Sequence, residues 1–208
     1  MEGALRGSFY FMADVFIPHS CYIREASQSA PGFRMRLWSS VLSVTAAAVM
    51  TLLAAFFIVG PERVWMLYGP PDLGPVSFET LKRQTSANNA LACPQDLCMA
   101  KSDIAPPVFA VGAPDLARAF AKIMASEANV EQVDVDDGGL TRRYVQRTKI
   151  LRFPDTICVR FIDLGEGRST IALYSRSQFG LSDFGVNRAR ISRWLEKLEK
   201  EAPAVKTA

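Results

Sequence analysis

Eight polar residues in the C-terminal third of this chain have types that could do chemistry: Arg152, Asp155, Arg176, Ser182, Asp183, Asn187, Arg188 and Arg190. Guanidinium groups grip carboxylate or phosphate bidentately. A helix beginning near Asp183 would add free backbone N–H groups and the positive end of its dipole. Two arrangements fit the set. In the first, Arg176 and Arg188 hold an anion at the helix start and Asp183 acts as a base. In the second, the groups satisfy one another. Asp183 or Ser182 caps the helix, Arg152 and Arg176 pair with Asp155 and Asp183, and Asn187 bonds a neighbouring loop. Buried polar groups need partners, so both arrangements write the same pattern into the sequence.

Other chemistry is easier to dismiss. The sole histidine, His19, lies far upstream. No Ser-His-Asp or Cys-His arrangement can be built around the cluster, and no histidine-based zinc site. Phosphate-loop and dinucleotide fingerprints are absent. Asp134, Asp136 and Asp137 run into Gly138-Gly139 and read as a solvated hairpin tip rather than a general acid/base pair. No cofactor and no metal are expected. Of the four cysteines, Cys93 and Cys98 form a C-x4-C pair. Outside the cytoplasm such a pair is expected to oxidise to a local disulfide, which stabilises little because its loop is short. A redox-active pair would show C-x-x-C spacing. Cys158 is expected to pack as a small apolar residue.

The elements that must position the cluster follow from periodicity. Residues 114–127 read as a helix, with Leu116, Phe120, Ile123 and Met124 in one stripe. Residues 130–136 alternate as a strand and turn at Asp137-Gly138-Gly139. Further strands are expected at 144–150, 157–163 and 169–176, the last two joined around Gly165-Glu166-Gly167. Residues 185–200 read as a closing helix that buries Ile191, Trp194, Leu195 and Leu198. The order is α-β-β-β-β-α. The expected fold class is α+β: one N-terminal transmembrane helix, then a small two-layer domain. Its mainly antiparallel four-stranded sheet carries two helices on one face.

Ahead of this domain, residues 37–59 hold no charged side chain. At about 1.5 Å per residue the run reaches roughly 34 Å, enough for a hydrocarbon core of about 30 Å. It exceeds the h-region of a signal peptide, and no A-x-A site follows before Gly60. Arg24, Arg34 and Arg36 precede it and only Arg63 follows closely. That bias predicts a cytoplasmic N-terminus and an exported domain. Trp38 and Trp65 flank the run as interfacial anchors. The expected layout is a tail or over-extended start at 1–34, an anchor at 35–60, a Pro/Gly-containing spacer at 61–90, a domain at 91–200 and a tail at 201–208. A short helix is expected near residues 78–83. The net charge is only +3. Between Arg142 and Arg193, however, eleven Lys/Arg face four Asp/Glu. On an exported domain this basic half reads as a solvated face near anionic headgroups, with no nucleic-acid partner.

Several motifs occur in series: Tyr144-Val145-Gln146-Arg147-Thr148-Lys149, Arg152-Phe153-Pro154-Asp155, Tyr174-Ser175-Arg176-Ser177, and Ser182-Asp183-Phe184-Gly185-Val186-Asn187-Arg188 with Arg190 and Trp194-Leu195. In this order they resemble the bacterial family called domain of unknown function 1499, over roughly residues 93–198. Phe184 stands where that family usually has Leu. The resemblance implies domain limits and an envelope setting and brings no activity. The expectation is a membrane-tethered, non-catalytic binding or accessory domain of the cell envelope, in the bacterial inner membrane, with its C-terminal domain periplasmic. Its partners would be the bilayer and an anionic envelope ligand or an envelope protein. Two alternatives stand beside it. One is an envelope enzyme acting on an anionic lipid or cell-wall fragment through Arg176, Asp183 and Arg188. The other is a structural protein that assembles through its sheet edge.

Overall fold

A computed structural model describes residues 31–205, with the side chains of all but 31–34 and 137. His19, Cys21 and Arg24 lie outside the described residues. The chain divides into two units, residues 1–51 and 52–208.

In the first unit, the described residues belong to helix α1 (Pro31–Val59), which continues into the second. Within Met35–Val59 an 18-residue window has a mean hydropathy of 2.4 and no buried residue, so the helix is long and apolar enough to span a membrane. Its hydroxyls are turned inward. Ser39 and Ser40 donate to the Arg36 carbonyl, Ser43 to Ser39, Thr45 to Val41 and Thr51 to Ala47. That back-bonding leaves no hydroxyl proton unpartnered in an apolar medium.

In the second unit α1 ends at Val59. Gly60 takes φ 94°, a left-handed conformation that favours glycine, and Pro61 opens a six-residue helix α2 (Pro61–Met66). Then come strand β1 (Asn89–Ala92), helix α3 (Ala113–Ser126), β2 (Val130–Asp136), β3 (Thr141–Arg147), β4 (Pro154–Gly165), β5 (Arg168–Ser177) and helix α4 (Val186–Glu201). The sheet is antiparallel throughout, in the order β1-β5-β4-β3-β2. The fold is α+β.

Alternation along the strands sorts the core into two layers. Ile157, Val159 and Phe161 of β4 and Ile171 and Leu173 of β5 face α3 and α4, where Leu116, Phe120, Ile191, Trp194 and Leu198 fill the space. The intervening residues Cys158, Ala172 and Tyr174 face the other way and meet Leu91, Cys93, Phe78 and Leu81.

The structure corrects four expectations. The sheet has five strands, because β1 pairs with β5, Leu91 opposite Tyr174. Four residues are too few to display an alternation. The turn near residues 78–80 does not become a helix, yet Phe78 and Leu81 are buried. The segment expected as a spacer lies against the sheet: the Leu73 N–H donates to Thr156 Oγ1 at 2.9 Å, and Arg143 pairs with Asp72 at 2.8 Å. Finally, β3 begins three residues earlier than expected and β4 starts on Pro154. Proline is tolerated as the first residue of a strand because no ladder donor is demanded there.

Helices α3 and α4 are tied by Glu127, whose side chain is 9% exposed. Lys197 Nζ reaches it at 2.5 Å and Arg193 at 3.1 Å. Burial pushes this carboxyl up. Hydrogen bonds from Lys197 and Arg193 and the charge of Arg193 outweigh that and hold it below its ordinary value. A depressed folded-state pKa contributes stability above the unfolded value of 4.5, and that contribution fades as pH falls through the folded value. Glu127→Gln is therefore expected to lose about 1–2 kcal/mol at pH 7. Thermal unfolding across pH should show the gap to wild type closing in acid; a gap constant down to pH 3 would contradict the assignment.

Candidate functional site

The antiparallel pairing sets the start of β4, the end of β5 and the first turn of α4 at one end of the sheet. There β5 places Ser175 and Ser177 on the helix-facing side, with Asp155 opposite Ser177. Asn187 and Arg190 descend onto them from α4, spaced i and i+3 on the buried face. All five are at least nine-tenths buried.

Their hydrogen bonds close on themselves. Arg190 donates to Asp155 Oδ2 and to Asn187 Oδ1, both at 2.5 Å, and to Ser175 Oγ at 2.8 Å. Ser175 Oγ donates to Asn187 Oδ1 at 2.5 Å. The Asn187 amide donates to the Asn88 carbonyl at 2.9 Å, to Ser177 Oγ at 3.0 Å and to Asp183 Oδ2 at 2.6 Å. Asp183 is consumed as well. Its Oδ1 accepts from the Gly185 N–H at 2.9 Å and its Oδ2 from the Asn187 N–H at 2.8 Å. The residue at the helix boundary is Gly185, at φ 82°, and Asp183 supplies the acceptor from two residues upstream. Ser182 Oγ accepts only the Phe184 N–H, at 3.2 Å.

The remaining cluster members go elsewhere. Arg176 sits between Ser175 and Ser177, so alternation turns it to the opposite face of the sheet. There it donates to the Leu73 and Gly74 carbonyls, each at 2.9 Å, and lies over the Tyr174 ring. Arg152, in the left-handed region at φ 58°, pairs with Glu62 at 2.6 Å and reaches Asn129 Oδ1 at 2.5 Å. Arg188 is exposed and makes no ion pair among the described residues. The expected pairings of Arg152 and Arg176 with Asp155 and Asp183 do not form. Arg190 takes Asp155, and the backbone takes Asp183.

Asn88, Ser175 and Ser177 complete the network and Glu62 holds Arg152 apart from it, none of the four having been singled out from sequence. Period-two alternation through Tyr174-Ser175-Arg176-Ser177 was a usable signal for the two serines. Nothing local marks Asn88 or Glu62, whose partners lie some 90 to 100 positions away.

Beside the network, Phe153, Phe179, Val186, Ser177 and Asp183 line an open cavity of about 270 Å³. On the other face Cys93 and Cys98 are joined in a disulfide, with Cα atoms 6.2 Å apart. Cys158 is buried there as a free thiol, and burial pushes its pKa up to about 11, which keeps it protonated and unreactive. No group of three His, Cys, Asp or Glu among the described residues is placed to hold a metal ion.

Fold and cluster together define a class: a small α+β domain with an internally saturated polar network, carried behind one helix apolar enough to cross a membrane. Residues 75–198, more than half of the chain, match the family described as Protein of unknown function (DUF1499), and the chain belongs to that family. The match starts upstream of β1 and takes in Phe78 and Leu81, the segment packed under the second face. No curated protein matches the chain.

Proposed function

We propose that the chain is a membrane-tethered, non-catalytic binding or accessory domain of the bacterial cell envelope. Helix α1 holds it in the inner membrane as a single-pass anchor, with the N-terminus in the cytoplasm and the domain in the periplasm. Its partners are the bilayer and an envelope protein or ligand. The observation that carries the non-catalytic reading is the fate of Asp183. A base must present a free carboxylate to a cleft, and both Asp183 oxygens are taken up by the start of α4. The same accounting weakens an anion site at the cluster, because Arg176, Arg190 and Arg152 are committed to partners within the protein. Assembly through the sheet edge is weakened by β2, which carries Glu131, Asp134 and Asp136 and a register shift between Gln132 and Asp134. Charges and bulges of this kind oppose edge pairing.

The orientation rests on Arg24, Arg34 and Arg36 against Arg63, and an oxidised Cys93–Cys98 pair suits an exported compartment. A C-terminal alkaline phosphatase fusion is expected to be active, and a fluorescent-protein fusion at the same point dark. The reverse pattern would sink the envelope assignment. Turnover of an envelope metabolite by the wild type, lost in folded Arg176→Ala and Asn187→Ala variants, would refute a purely binding role.

A further inference from the structure

Three segments meet at the end of the sheet where α4 begins: α2, the β3–β4 loop and the β5–α4 loop. Trp65 of α2 joins them. Its indole N–H donates to the Leu151 carbonyl at 2.5 Å, and its ring packs on Phe153 at 4.6 Å and Phe179 at 5.3 Å. Phe56, in the last turn of α1, touches the same indole at 5.7 Å. Around this aromatic centre the apolar side chains point into solvent. Leu67 is 83% exposed, Leu181 87% and Phe184 98%, with Ile150 and Tyr68 exposed beside them. Phe184 reaches that position from a left-handed backbone, φ 53°. A soluble surface does not ordinarily gather such residues.

Charge singles out the same end. Arg63 of α2, Lys149 of the β3–β4 loop and Arg188 in the first turn of α4 are exposed and form no ion pair among the described residues. The opposite end of the sheet, formed by the β4–β5 hairpin, presents exposed Asp163 and a Glu166–Arg168 ion pair, with no unpaired cation among these residues. One occupant matches apolar side chains, Trp and Tyr rings and unpaired cations at once: the headgroup region of an anionic bilayer. The chain supplies that bilayer. Trp65 follows the last residue of the apolar helix by six positions.

We propose that this end of the domain rests on the membrane surface, with Leu67, Leu181 and Phe184 in the interfacial layer and Arg63, Lys149 and Arg188 on lipid phosphates. The proposal rests on α1 being an uncleaved anchor.

The test uses the full chain in a Cys21→Ser background, reconstituted into vesicles of phosphatidylcholine and phosphatidylglycerol. Nitroxide labels are placed in turn through Leu67→Cys, Leu181→Cys, Leu53→Cys in the apolar helix, and Leu164→Cys at the far hairpin. Oxygen partitions into lipid and a nickel chelate into water, so the ratio of their collision rates reports depth. The ratio is expected to be several-fold higher at 67 and 181 than at 164, and highest at 53. A high ratio at 53 with 67 and 181 equal to 164 overturns the docking and leaves the anchor intact. A ratio at 53 equal to that at 164 overturns both. Spin–spin broadening at 181 that persists in detergent would assign the face to a second copy of the chain, which also overturns the proposal.

Discussion

Asp155→Ala is expected to lose about 3–5 kcal/mol of folding stability, because it leaves the Arg190 guanidinium buried without its countercharge. Both side chains of the pair are 6% exposed and their atoms stand 2.5 Å apart. Solvent cannot take over as the partner, as it does for the surface pairs of this domain. On a domain of this size the loss should lower the melting temperature by roughly 10 °C or more. Circular dichroism of the full chain in detergent measures it. Arg190→Met carries a related penalty, since it leaves the buried Asp155 carboxyl group without its guanidinium partner and removes donors from Ser175 Oγ and Asn187 Oδ1. The combined variant Asp155→Leu/Arg190→Met removes both charges and is expected to be more stable than either single variant. Additive losses would mean that the two side chains act independently, and the account of a mutually satisfied pair would be wrong.

The physics of that pair explains what could be read from the sequence and what could not. The strand at 130–136 was legible because Val133-Asp134-Val135-Asp136 alternates ahead of the Asp137-Gly138-Gly139 turn, although the register shift between Gln132 and Asp134 breaks the alternation upstream. The apolar stripes of α3 and α4 were legible because a 3.6-residue period repeats in each. The membership of the polar cluster was only partly legible. Asp183, Asn187 and Arg190 share one helix start, so local spacing brings them together. Arg176 follows Ser175 by a single residue, and that one step sends it through the sheet to the Leu73 and Gly74 carbonyls. Arg152 was drawn toward Glu62, 90 positions earlier. Ion pairs over such separations depend on register between distant segments, and no short pattern records that register. β1 escaped notice for a related reason. Asn89-Ala90-Leu91-Ala92 has little intrinsic strand preference, and the free edge of β5 makes it a strand.

Phe120→Ala is expected to match the loss at Asp155, about 3–5 kcal/mol, by a different route. Phe120 is fully buried at the contact between α3, α4 and the sheet. Its ring meets Tyr144 at 6.1 Å, Phe161 at 5.7 Å and Trp194 at 6.1 Å, all near edge-to-face. Removing it leaves three large rings around a void that rigid neighbours cannot refill. The consequence should reach the polar network. Asn187, Arg190 or Ile191, and Trp194 recur on one face of α4, so the indole that braces against Phe120 also sets the depth and rotation of the turn that presents Asn187 and Arg190. Amide hydrogen exchange should therefore accelerate at the Asn187 N–H, which is bonded to Asp183, as well as in α3. Phe120→Leu keeps most of the volume, so it should lose less stability and leave that amide protected. If Phe120→Ala loosened α3 alone while the Asn187 amide kept its wild-type protection, the core would not be what positions the cluster, and the helix start would hold its geometry through its own hydrogen bonds.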